Sequence, residues 1–336
     1  VDTLRPTVVI APDKFRGTAT ARDICAAVEA VATDSGWHCR SIPLADGGEG
    51  TLDALGGPNR IATVTGPLGD PVEARWRLSG RTAVIEMAEA SGLALVGGPA
   101  GNDPLAASTY GTGELIMAAV EAGARRVIVG LGGSATTDGG LGALRAMVPL
   151  PRLRGVDLEV ACDVRTRFVD AAEVFAPQKG ATRRQVELLR RRLERLAEVY
   201  RDEHGVDVTE LDFSGAAGGL AGGLAAIGAR LVEGFELIAD EVGLPEAVEH
   251  AQLVVTGEGH LDAESFDGKV VGGVAALCAA SGVPALAVVG AAEPGLEIPP
   301  GLEVVSLEER FGAEGARDHT AQRVAEVVAE RLGSLG

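Results

Sequence analysis

A chain of 336 residues, 46% of them hydrophobic, is long enough to bury two ordinary cores. Its formal net charge of −18 argues against any general affinity for nucleic acid or anionic membrane, because both depend on clustered Lys and Arg. Cys25, Cys39, Cys162 and Cys278 are scattered with no C-x-x-C pair, so neither a zinc site nor a disulfide framework is expected, and a reducing cytoplasm fits. Val1 to Pro6 shows no basic segment followed by an apolar one, and no apolar run approaches the roughly 20 residues needed to span a bilayer. A soluble protein is expected.

Taken in order, short β-branched runs alternate with helix-period segments, the pattern of α/β layers around a largely parallel sheet. Thr7 to Ala11 reads as a strand, Thr20 to Ala32 as a helix, and Cys39 to Leu44 as a second strand running into "ADGGEGT", Ala45 to Thr51. Pro71 to Leu78 and Arg81 to Met87, separated by Ser79-Gly80, read as an antiparallel hairpin, which a purely parallel fold would not need. Arg126 to Val129 is a strand, followed by the glycine turn "GLGGSATTDGG" and the helix-like Leu141 to Met147. Thr182-Arg183-Arg184-Gln185 is a capping box; Val186, Leu189, Leu193 and Leu196 then share one helix face, and Gly205 ends it. Glu187, Glu194, Glu198 and Glu203 among its arginines predict a solvated, salt-bridged surface. Ala251 to Thr256, Ala285 to Val289 and Leu302 to Ser306 read as further strands. The hairpin predicts an inserted domain, residues 59–245, interrupting a doubly wound domain made of 1–58 and 246–336.

The cations are more specific. Of 30 Lys plus Arg only three are lysine, Lys14, Lys179 and Lys269, and all three stand beside turn residues. In a chain so biased toward arginine, a retained lysine marks a place where a compact ammonium is needed. Glycine pairs recur in "ADGGEGT", "GLGGSATTDGG" and "SGAAGGLAGGLAA", and "TGEGHLD" carries Gly257 and Gly259. For Gly215 to Gly223, tight helix packing is an equally good explanation. The other three segments combine glycine with a carboxylate: Asp46 and Glu49, Asp138, and Glu258 with Asp262. Acid, glycine turn and rare lysine together suit magnesium-dependent phosphoryl transfer. Gly130 to Ala135 also satisfies G-x-G-x-x-A, a weak dinucleotide match that leaves an NAD(P)-dependent oxidoreductase as an alternative, beside a non-catalytic metabolite sensor. No Walker A sequence is present.

Eight segments, "APDKFRGT", "PLADGGEGT", "STYGTGELI", "GLGGSATTDGG", "ACDV", "FAPQKGAT", "GAAGGL" and "VVTGEGHLDAESFDGKV", stand in the order and roughly the spacing of the type 1 glycerate kinases, and the chain resembles that bacterial family over nearly its whole length. The resemblance implies phosphorylation of D-glycerate by ATP, most often at the 2-position. It also implies a flavodoxin-like α/β domain with a swivelling-type α/β domain inserted into it. Three features depart from the pattern: Arg16 where the family has lysine, Arg165-Thr166-Arg167-Phe168 after "CDV", and a short stretch from Met147 to Leu158. Arg165 and Arg167 either suit a more anionic hydroxy acid, leaving a kinase of another small hydroxy acid open, or form a surface pair.

For the site, Lys14, Lys179 and Lys269 are the expected charge stabilisers, and Asp46 and Asp138 the leading pair of carboxylates for orienting the hydroxyl and accepting its proton. Gly132, Gly133 and Ser134 are expected to present N–H and hydroxyl groups to a phosphate or to the glycerate carboxylate, at the entrance to the helix that follows. Arg16, Gly47, Gly48, Gly257, Glu258 and Gly259 complete the expected substrate and phosphate contacts, and Asp163 and Asp262 the expected Mg²⁺ ligands. Thr109, Tyr110 and Thr112 either bond substrate or cap a helix beginning near Gly113, and His260 reads as a surface residue.

Overall fold

The computed structural model describes residues 5–335; Val1 to Leu4 and Gly336 lie outside the described residues. Among those described, no helix is long and apolar enough to cross a membrane. The chain forms two compact units: one runs up to Asp46 and resumes at Phe235, the other is Gly47–Gly234.

The strands in chain order are β1 (Thr7–Ile10), β2 (His38–Ser41), β3 (Arg60–Thr65), β4 (Pro71–Ser79), β5 (Thr82–Glu86), β6 (Arg126–Gly130), β7 (Asp157–Cys162), β8 (Arg230–Glu233), β9 (Leu253–Thr256), β10 (His260–Leu261), β11 (Ala285–Val289), β12 (Ala291–Ala292) and β13 (Leu302–Ser306). In the first unit the sheet order is β13-β11-β9-β1-β2, every pairing parallel. Numbering only this unit's own sheet strands along the chain turns that into 2-1-3-4-5, the flavodoxin order, whose direction reverses between β1 and β9. The inner strands β1, β9 and β11 are buried on both faces, which is why they read as continuous apolar runs and not as alternating ones. Val8, Ile10, Leu253, Val255, Leu286 and Val288 form one core with Ile24, Val28, Val324 and Val328, from the helices Ala21–Asp34 and Thr320–Gly333. The helix Val270–Ser281 packs on β9 and β11 with Val270, Val271, Val274 and Cys278 buried.

The second unit has a six-stranded sheet, β3-β4-β5-β6-β7-β8, antiparallel from β3 to β5 and parallel from β5 to β8. The predicted hairpin is β4–β5, with register Ser79↔Thr82. The predicted capped helix spans Arg183–His204, with a reciprocal Thr182–Gln185 capping box and Gly205 in the left-handed conformation at its end. Leu189, Leu193 and Leu196 are buried in the core, and Arg190–Glu194 and Arg195–Glu198 pairs lie on its outer face.

The joins fall at Asp46/Gly47 and Gly234/Phe235, earlier than the 58/59 and 245/246 read from the sequence. Glu86 on β5 accepts the amides of Gly50 and Leu52 at 3.0 and 2.7 Å, which ties the segment after Gly47 to the second sheet. At the other end Phe235 packs so closely on Gly273 that a Cβ there would stand 2.1 Å from its ring, and the helix Leu244–Glu249 packs on Val270–Ser281. In Gly215 to Gly223 packing decides. A Cβ on Gly218 would lie 2.0 Å from the Thr136 carbonyl, and one on Gly222 would lie 2.4 Å from Phe168.

Candidate active site

In a doubly wound sheet, ligands sit outside the carboxyl ends of the strands where the order reverses, here the ends of β1 and β9. Backbone hydrogen bonds extend the β1–β9 pairing past the strands themselves: Ala11 N donates to Val255 O at 2.7 Å and Asp13 N to Gly257 O at 2.9 Å. Gly257 also lets β11 come close on the other side, since a Cβ there would lie 2.0 Å from the Val288 carbonyl. The two loops wall a cleft of about 580 Å³ lined by Asp13, Lys14, Arg16, Asp46, Glu258 and Lys269, with Gly259 and Asp262 alongside. The first unit therefore gathers Lys14, Arg16, Asp46, Glu258, Gly259, Asp262 and Lys269 from three separate sequence segments.

Two of the cleft's carboxyls, Asp13 and Glu258, are held away from their ordinary behaviour. Asp13 is 8% exposed, and burial pushes its pKa up to about 6 against the pull of Lys14, with the Asp46 charge adding to the rise. Its Oδ1 accepts the Lys14 amide at 2.6 Å, and the Lys14 ammonium lies 3.8 Å away. Glu258 is pushed up to about 7, chiefly by burial, with the Asp13 and Asp262 charges adding and Lys269 opposing. Its Oε1 is buried with no hydrogen-bond partner among the described residues. Asp262 caps the turn Ala263–Phe266 through the Ser265 amide at 2.9 Å. Lys269 stands at the start of the helix Val270–Ser281, its ammonium 3.4 Å from Glu264. His260 is exposed at the rim.

Asp13 escaped the sequence reading, although it lies inside "APDKFRGT". An Asp after Pro reads as a turn residue, and only the β1–β9 pairing shows it buried beside Glu258. Arg317 and Thr320, from the last helices, also line the cleft and belong to none of the eight segments.

In the second unit, β6 ends at Gly130 and the chain runs as a loop to the helix Leu141–Ala146. That layout lacks the immediate strand-turn-helix of a dinucleotide fold, so the G-x-G-x-x-A match carries no NAD(P) site. The helix entrance is also already filled by the chain's own anion. Asp138 accepts the amides of Gly140 at 3.1 Å, Gly142 at 3.2 Å and Thr109 at 2.8 Å, together with the Thr109 hydroxyl. Thr109 precedes the helix Tyr110–Glu121 and its hydroxyl accepts the Ala143 amide, while Thr112 bonds Ser91. Asp138 thus serves as an anchor whose open side borders a second cavity beside Tyr110 and Arg145.

Gly132, Gly133 and Ser134 lie upstream of that entrance. The loop is zipped to residues 91–93, with Leu93 N donating to Gly133 O at 2.8 Å and Ala135 N to Ser91 O at 3.0 Å. Gly132 is half-buried and Gly133 exposed, with φ +63°. A Cβ on Gly132 would lie 2.6 Å from the Glu49 amide, and one on Gly47 would lie 2.8 Å from Gly234 Cα, so Gly47, Gly48 and Gly132 sit in one crowded backbone crossing. Lys179 lies beneath the loop, 3% exposed, donating to Ser134 Oγ at 2.7 Å and to the Thr136 carbonyl at 2.6 Å. Burial lowers its pKa to about 7, with Asp138 opposing. Asp163, just past β7, is half-buried. Arg165 pairs with Glu233 at the surface and stacks on Phe213.

Comparison with known proteins places these observations. The model of the "Glycerate kinase family" matches residues 8–148 and 149–330. A glycerate kinase of Halalkalibacterium halodurans is 41% identical over 87% of each chain, and the glycerate 2-kinase of Escherichia coli K12 is 39% identical over 84% of each. A crystal structure described as glycerate kinase 2 from Salmonella typhimurium LT2 superposes with a TM-score of 0.82 at 35% identity, covering 99% of this chain and 100% of that one. With family model, sequence and structure in agreement over most of its length, the chain belongs to the glycerate kinase family and is a phosphotransferase with an alcohol acceptor.

Proposed function

We propose that the chain transfers the γ-phosphoryl group of ATP to the 2-hydroxyl of D-glycerate with the help of Mg²⁺. The observation that carries this is the first unit's cleft, where Lys14, Arg16 and Lys269 face a lining of carboxylates at the switch point of the sheet. Phosphoryl transfer spreads negative charge over the moving oxygens, so fixed cations and positioning do most of the work. In this account Lys14 and Lys269 neutralise that charge, Arg16 binds an anionic group, and Asp46 orients the hydroxyl and takes its proton. Gly257 and Gly259 let the backbone come close. The Gly132–Gly133 turn and Ser134 hold a second anion, phosphate or carboxylate, with Gly47 and Gly48 shaping the backbone beside them.

The carboxylates fit a magnesium ion. Glu258 has one buried oxygen lacking a partner, and a divalent cation would supply one. Mg²⁺ commonly rests on one or two carboxylates plus phosphates and water. Glu258 and Asp262 would hold it; the ion would supply charge neutralisation of the phosphates. The four free cysteines support a reducing cytoplasmic setting.

The test is incubation with ATP and D-glycerate, with and without Mg²⁺, and identification of the product by NMR. 2-Phosphoglycerate and ADP, formed only with the metal, are expected. 3-Phosphoglycerate would overturn the position, and turnover of L-glycerate or tartronate but not D-glycerate would overturn the substrate.

A further inference from the structure

Lys179 is one of three lysines in the chain, and it is the buried one. Its ammonium spends two of its three protons on one loop, through Ser134 Oγ and the Thr136 carbonyl. Asn102 clamps the same two segments from the backbone side, donating from one amide nitrogen to the Ala135 carbonyl at 3.0 Å and to the Lys179 carbonyl at 2.9 Å. Gly180 then turns with φ +93°, close against Pro99, so the peptide carrying Lys179 has little room to move. The lysine cannot leave the loop without stranding these groups, because the Thr136 and Thr137 hydroxyls around it already lack partners among the described residues.

We infer that Lys179 is a positioning residue: it holds the Gly132–Ser134 turn in its ligand-receiving shape from beneath, through Ser134 Oγ and the Thr136 carbonyl, and does not itself touch a phosphate. This rests on the proposal that the turn receives an anion. It replaces the expectation from lysine rarity, that all three lysines touch the transferring group, with a division of labour. Lys14 and Lys269 line a cleft; Lys179 supports a backbone turn. A compact ammonium is needed here for geometric reasons, since a guanidinium is too broad for a fully enclosed place between a hydroxyl and a carbonyl.

The experiment compares wild type with Lys179→Met, which keeps the chain length and removes the donors, and with Ser134→Ala. Amide hydrogen exchange of ligand-free protein is read first, because it needs no assumption about substrate. Exchange across residues 131–137 should be at least tenfold faster in Lys179→Met, and faster to a lesser degree in Ser134→Ala, with β6 and β7 unchanged. In kinetics, KM should rise about tenfold for whichever of ATP and D-glycerate the turn holds and stay within about twofold for the other. Ser134→Ala added to Lys179→Met should cost little more than Lys179→Met alone. Unchanged loop exchange together with a large loss of kcat would mean that the lysine contacts the ligand directly, and would overturn the inference. Full activity in Lys179→Met would overturn it as well. If Lys179→Met does not fold, Ser134→Ala decides by the same exchange criterion. Absence of D-glycerate turnover in the wild type would count against the proposed reaction and leave the exchange result standing.

Discussion

Burial acts in opposite senses on the two most perturbed functional groups, and the signs can be followed into stability. Glu258 has a folded pKa near 7 against an ordinary 4.5. The folded state therefore binds more protons between those values, and its contribution to stability is present at acid pH and lost as pH rises through 7. Lys179 has a folded pKa near 7 against 10.5. The unfolded state binds more protons there, so the penalty of burying this ammonium is full below pH 7 and fades as pH climbs toward 10.5. Together the two predict a minimum near neutrality in their summed contribution to the ligand-free protein. Melting temperatures from pH 5 to 9 check this. Glu258→Gln should flatten the acid limb and raise the melting temperature at pH 7.5 while lowering activity; part of the limb should persist, because Asp13 titrates in the same direction. Lys179→Met should flatten the alkaline limb. An unchanged acid slope in Glu258→Gln would show that its carboxyl is solvated in solution.

At the scale of elements, the helix Leu141–Ala146 is only 6 residues long and owes its first turn to Asp138 and Thr109. Asp138→Asn turns an acceptor of several N–H groups into a partial donor, which should cost about 1–3 kcal/mol of stability. Asp46→Asn, at a residue lining the cleft, should lower kcat/KM far more than any change in its melting temperature would explain. Comparing the two variants by melting temperature and kcat/KM separates anchor from catalyst, and equal stability losses would dissolve the distinction. Such a difference was not legible in the sequence, because both aspartates sit in similar glycine-rich segments. What separates them is the partner at Thr109, far off along the chain. Signals confined to a few residues were legible: the Thr182 capping box, the β4–β5 hairpin and the five parallel strands of the first unit all fall where periodicity and turn chemistry put them. Gly132 to Ser134 lie in a loop, as the glycine pair predicts, but the helix entrance assigned to their anion belongs to Asp138. Asp13 stayed hidden because its burial depends on β1 pairing with a strand more than half the molecule later.

At the scale of the whole molecule, the same limit explains the joins. The antiparallel hairpin suggests the interruption near residue 59, but Glu86 reaches back to Gly50 and Leu52 and draws the boundary to Gly47. Residues 47–234 then have both ends at one place, since a Cβ on Gly47 would lie 2.8 Å from Gly234 Cα. They also have a core of their own, running from Val64 and Trp76 through Val129 and Val160 to Leu220. Adjacent termini and a self-contained core are the marks of an insertable, independently folding domain. The segment 47–234 expressed alone should therefore give a dispersed NMR spectrum and a single cooperative melt. A fragment cut at the boundaries read from the sequence, 59–245, should be less stable. It lacks the segment that hydrogen-bonds to Glu86, leaving a buried carboxylate without two of its donors at a cost of about 1–3 kcal/mol or more. It also exposes Phe235 and Leu244, which are buried in the whole chain. Equal melting temperatures for the two fragments would mean that Gly47 to Pro58 contributes nothing to the second unit.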